Sequence, residues 1–129
     1  TEIILKGYKC WGKNVVHKFI GMFAIVLYDR EKEEILFFRD RAGVKPLYCY
    51  YADDLFLFAS ELKAFHQHPH FKKEIDSNSL SLFLQYSYIP GSYSIFKNTF
   101  KLLPAHSLTL NLKTKNTVIE KYWDVFDHY

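Results

Sequence analysis

At 129 residues the chain has the length of one domain, and with 49% hydrophobic residues, 12 Phe and 10 Tyr among them, it can close a core and is excluded from the disordered class. Seventeen Lys and Arg against 14 Asp and Glu leave a net charge of +3, too mild to indicate a nucleic-acid partner, which would gather basic residues on one face. No run of about 18 apolar residues is present to make a membrane span, and two cysteines, Cys10 and Cys49, fit reduced thiols in a cytoplasmic protein better than a disulfide scaffold.

The opening residues "TEIILKGYKCWG" lack the basic start and cleavage pattern of a signal peptide. Ile4, Leu5, Tyr8 and Trp11 recur at helical spacing, and Val15, Val16 and Phe19 resume it after a break at 12–14, which predicts two short helices. Only Thr1 is placed to cap the first of them. So abrupt a start leads us to expect the chain to be part of a larger domain.

Four runs of aromatic and branched residues follow, "GMFAIVLYD", "EILFFRD", "LYCYY" and "LFLFA", and they predict an antiparallel meander. In the second, Ile35 and Phe37 alternate with Leu36 and Phe38, so both faces are apolar and both require cover. The pattern then turns helical. "SELKAFHQHP" predicts a helix with Ser60 as N-cap and Pro69 as stop, and "DSNSLSLFLQYS" a second one capped by Asp76. After Pro90 and Gly91, "FKLL", "SLTLNL" and "NTVIEKYW" read as strands, the last two joined by the turn "KTKN". The order indicates an α+β fold with two sheets and helical layers.

No self-sufficient catalytic set emerges. Thr1 opens a helix, where an N-terminal nucleophile would lack oxyanion donors. Cys10 and Cys49 have no base near them in sequence, and both are expected to be small core residues. His66, His68 and His70 are spaced by two, whereas ligands on one helix face are spaced by four, and no second donor cluster completes a metal site. The five glycines form neither a dinucleotide fingerprint nor a phosphate loop.

The stretch from Gly21 to Phe65, with "GMFA", "RDRAGVKPLY" and "FASELKAF", resembles the later half of the glutaminase domain of asparagine synthetases. The resemblance continues through "YIPGSYSIFKNTFKLLPAHSL" to Tyr122 and Trp123, with Ala105 standing where a Gly is common. It implies part of an α-β-β-α sandwich of the N-terminal-nucleophile hydrolase type, with mostly antiparallel sheets. Residues 1–121 would be the C-terminal part of the glutaminase domain and 122–129 the start of a linker towards a synthetase domain. A parent of this kind hydrolyses glutamine and uses the ammonia, with ATP and Mg bound elsewhere, to amidate aspartate. The family's nucleophilic cysteine, oxyanion motif and ATP loop match nothing here, so no catalytic, cofactor or metal residue carries over. A related amidotransferase with a β-lactam, peptide or sugar-acid acceptor is the nearest competitor, and a non-catalytic interaction module is another.

The charged stretch of Arg39, Asp40, Arg41, Gly43, Lys45 and Pro46 is therefore expected to be a structural corner or an interdomain contact. Asp40 would accept backbone N–H groups of the turn, Gly43 would supply a positive φ, and Pro46 would fix entry into the next strand. Arg39, Arg41 and Lys45 are expected to pair with Asp40 or with a carboxylate on another domain. Sheets lacking their remaining strands would leave open edges prone to self-association.

Overall fold

The computed structural model describes residues 1–128; Tyr129, the last residue of the expected linker, lies outside the described residues. Helix α1 (Glu2–Trp11) runs directly into a 3-10 helix, Gly12–Lys18. Thr1 precedes α1 without a side-chain cap, and its carbonyl accepts from Leu5 N at 3.2 Å. Ile4, Tyr8, Val16 and Phe19 turn inward. Cys10 sits on the solvent side of α1, which corrects the expectation that it is core; Cys49 is fully buried.

Strands β1 (Ala24–Asp29) and β2 (Glu34–Arg39) form an antiparallel hairpin with Val26 opposite Phe37. Asp29 Oδ1 organises its turn by accepting from Glu31 N and Lys32 N. Strands β3 (Tyr48–Ala52) and β4 (Leu55–Ala59) form a second hairpin around Asp53 and Asp54. Both aspartates have positive φ, 50° and 63°, as a tight primed turn demands.

The four strands are not one meander. Residues 40–47 carry the chain out of the first sheet and into the second, so β2 and β3 never pair. β2 pairs instead with β6 (His106–Asn111), and β3 with β5 (Thr99–Lys101). With β7 (Thr117–Lys121) the sheets read β1-β2-β6-β7 and β4-β3-β5, antiparallel throughout. Alternation alone could not reveal this, because a strand apolar on both faces fits either arrangement.

β2 shows why two sheets form. Phe37, fully buried, packs with Leu47, Cys49, Leu102, Leu108 and Leu110 between the sheets. Leu36 and Phe38 point the opposite way, onto Val16, Leu27 and the helical layer. Each such side chain contributes about 1.5–3 kcal/mol by leaving water. On the far face of β3, Tyr50 meets Phe71, which also contacts Phe65 and Phe96. The layers therefore run helix, sheet, sheet, helix.

The outer helical layer differs in detail from expectation. Residues Leu62–Gln67 form a 3-10 helix that follows Glu61 in extended conformation, with no side-chain cap, so Ser60 is not its N-cap. Helix α2 (Ser77–Tyr86) does begin at Asp76, whose carboxylate accepts from Ser79 N at 2.8 Å. No helix among the described residues is long and apolar enough to cross a membrane.

Candidate functional site

The corner between the sheets is where charge and burial coincide. Asp40 is 1% exposed and Arg39 6%. Side chains alternate along β2, so Arg39 follows Ile35 and Phe37 onto the inter-sheet face while Asp40, just past the strand end, turns the other way. The two are not an ion pair. Asp40 Oδ1 accepts from Val44 N at 2.9 Å, and Oδ2 from Lys45 N at 3.0 Å and Phe23 N at 3.3 Å. Its main chain is engaged as well: the N–H donates to Phe23 O, and the carbonyl accepts from Gly43 N and Ala105 N, each at 3.0 Å.

Burial alone would raise the Asp40 carboxyl, but the donated N–H groups of Lys45, Val44, Phe23 and Gly43 outweigh it and hold the group below the usual carboxylate value. Arg39 is satisfied by carbonyls. Its Nε donates to Lys45 O at 3.0 Å, Nη2 to Gly43 O at 2.6 Å, and Nη1 to Leu102 O. Burial lowers the guanidinium from its ordinary value, with the Asp40 charge opposing, and an arginine so lowered stays protonated. Among the described residues neither Arg39, Arg41 nor Lys45 forms a salt bridge with Asp40, so of the two expected pairings the one within the corner does not form. Backbone groups outcompete them because the turn wraps its N–H donors around one carboxylate and its carbonyls around one guanidinium.

Gly43 has φ +66°, as the sequence led us to expect, and a Cβ there would lie 2.6 Å from Pro104 Cγ. Pro46 lies two residues before β3. Arg41 reaches the opposite way: Nη2 donates to His17 O at 3.3 Å, and the guanidinium lies over the Trp123 ring. Tyr122, just past β7, is held here, its hydroxyl donating to Arg39 O at 2.5 Å and its N–H to Ala105 O at 2.9 Å. Burial, opposed by Arg41 and reinforced by Asp40, pushes that phenol up to about 12. Five segments thus converge: Phe23, the end of β2, the turn, the 102–105 link and Tyr122.

Ala105 has φ +59° and is buried, which explains the preference for Gly suggested by the resemblance. Relief of the left-handed strain in an Ala105→Gly change, about 1–2 kcal/mol, is offset by one buried methyl and by added chain entropy of comparable total.

The corner holds backbone in place, because both of its buried charged side chains, Asp40 and Arg39, are engaged by main-chain groups. Cys49 lies in the inter-sheet core, where burial pushes its thiol up to about 12 and makes it inert. A cleft of about 330 Å³ at the margin between the sheets is lined mainly by apolar side chains such as Ile35, Phe56 and Leu110, together with Asn111 and the ion-paired Asp54 and Lys115. His66 stacks on Phe71, and His68 Nδ1 accepts from His70 N at 3.3 Å. Among the described residues no three His, Cys, Asp or Glu side chains are grouped to hold a metal ion. Sequence reasoning found the corner and missed its partners, because Phe23, Leu102, Ala105 and Tyr122 lie up to 83 residues from it along the chain.

Comparison with known proteins gives this geometry a context. Residues 1–123 match the model of the glutamine amidotransferase domain. A provisionally named asparagine synthetase [glutamine-hydrolyzing] 2 of Methanocaldococcus jannaschii is 38% identical over 130 residues, covering 99% of this chain and 25% of that protein. Asparagine synthetase [glutamine-hydrolyzing] 3 of Bacillus subtilis is 38% identical over 127 residues, 97% of this chain and 20% of that one. A protein named Amidase chry2 in Gibberella zeae is 31% identical over 96% of this chain and 18% of its own length. The chain thus spans a quarter or less of the curated relatives it matches here. With the layered sheets, the self-contained corner and a match from the first residue to Trp123, this chain belongs to the glutamine amidotransferase domain family.

Proposed function

We propose that residues 1–121 are the C-terminal part of the glutaminase domain of a glutamine-dependent asparagine synthetase, with 122–129 leading towards a synthetase domain. The parent protein hydrolyses glutamine and delivers the ammonia to aspartate activated with ATP and Mg, in the cytoplasm. The observation that carries this reading is the end-to-end similarity, at 38% identity, to proteins named as glutamine-hydrolysing asparagine synthetases. The corner then serves as scaffold and interdomain contact; Ile20, Met22 and Val44 stand exposed around it. ATP and Mg would be held elsewhere in the parent protein, by its synthetase domain.

Purified on its own, the chain is expected to release no ammonia from glutamine in a coupled glutamate dehydrogenase assay. Titratable hydrolysis by the 129-residue chain would sink the reading.

Self-association is a further expectation. Every residue of β7 is exposed, and Val118 and Ile119, on its two faces, are both about half bare. Such an open, apolar edge pairs readily with another chain. Light scattering should show concentration-dependent oligomers; a monomer at all concentrations would count against this.

A further inference from the structure

All 17 basic and all 14 acidic residues lie outside residues 77–96, leaving 20 consecutive positions without a charge. The next-longest charge-free run, 102–112, is mostly buried strand. Residues 77–96, by contrast, lie largely at the surface: Leu84 is 75% exposed and Tyr88 61%, with Leu80, Phe83, Tyr86 and Tyr93 also exposed. Leu80, Phe83 and Leu84 share one face of α2 at i, i+3, i+4 spacing.

We propose that this surface is a docking face covered by the remaining polypeptide of the same, longer protein. The inference rests on reading the chain as a segment of a longer amidotransferase.

Three observations favour that occupant. First, a ten-residue helix is marginal in water and depends on packing of its apolar face, yet among the described residues the cap and the one buried residue of α2, Asp76 and Ser79, lie at its start. Asp76 N donates to Ile95 O at 2.9 Å, Lys97 N donates to Glu74 O at 2.9 Å, and Ile75 bridges Phe96. Second, the exposed Leu, Phe and Tyr side chains of this stretch stand among neutral residues only, six serines included, and loss of charge with aromatic enrichment is what marks the core of an interface. It also offers no Lys or Arg to an anionic lipid surface. Third, the relatives carry at least three times as much further polypeptide, and covalent attachment places such a partner at high effective concentration.

Thiol footprinting tests this. A Leu84→Cys change in a Cys10→Ser background is made both in this chain and in the longer protein expressed from the same gene, and maleimide labelling rates are compared. The thiol at position 84 is expected to react at least about tenfold more slowly in the longer protein. A Lys63→Cys control should label equally in both, since that side chain is 81% exposed and far from the face in sequence. Equal rates at position 84 would overturn the proposal. So would slowing in the 129-residue chain that grows with its concentration, which would assign the face to a second copy. Protection in a longer protein that hydrolyses no glutamine would uphold the docking face and sink the functional reading instead.

Discussion

Replacing Asp40 with alanine is expected to cost about 3–5 kcal/mol in urea unfolding of the dilute chain. The carboxylate gathers the N–H groups of Phe23, Val44 and Lys45, and hydrogen bonds to a charged group contribute about 1.5–3 kcal/mol each. Alanine leaves those donors at a site that is 1% exposed, with no space for water to replace three bonds at once. Domains are typically stable by about 5–15 kcal/mol, so the loss is a large share of the whole. A midpoint shift worth under about 1 kcal/mol would show that the turn holds itself without the carboxylate.

The same bonds fix a pH dependence. Asp40 titrates below its ordinary value in the folded chain and near about 3.9 when unfolded. Its contribution is therefore complete above that unfolded value and disappears as pH falls through the lower folded one. An Asp40→Asn variant should lose this part of the acid limb, flattening stability against pH below about 4.

Gly43→Ala is expected to cost about 3 kcal/mol or more. A non-glycine residue at φ +66° carries roughly 1–2 kcal/mol of strain, and a Cβ 2.6 Å from Pro104 Cγ forces a shift worth roughly 1–3 kcal/mol. The two parts can be separated. A Gly43→Ala, Pro104→Ala double variant should recover the part due to Pro104 Cγ and leave the backbone strain together with the approaches to Cβ of residue 104 and Arg39 Nη2, at 3.0 and 3.1 Å. Strict additivity of the two single changes would mean that Pro104 is not what the new methyl meets.

Much of this architecture was legible in the sequence. Both apolar faces of Ile35–Phe38 announced cover on two sides, and both are covered. Asp76 as helix cap, Gly43 with positive φ and Asp40 as a receiver of turn N–H groups all follow from local chemistry, and local chemistry decides them. What failed was pairing over distance. The meander broke because nothing in "RDRAGVKP" states that a turn changes sheets. Cys10 looked like core because it lies beside Trp11, which is itself exposed. Alternation along β2 already sets Arg39 and Asp40 on opposite faces; what distance along the chain hides is that backbone donors, Phe23 among them, fill the Asp40 carboxylate in place of Arg39, Arg41 or Lys45. The bareness of residues 77–96 needed the structure, because an apolar helix reads the same whether its face is packed or open.

The scaffold role of the corner is tested most directly in the longer protein, by measuring total glutamine hydrolysis alongside the folded fraction for Asp40→Ala. Activity that declines in step with the folded fraction is the expected result. A variant that unfolds at the wild-type midpoint yet turns over no glutamine would place Asp40 in the chemistry and contradict the account.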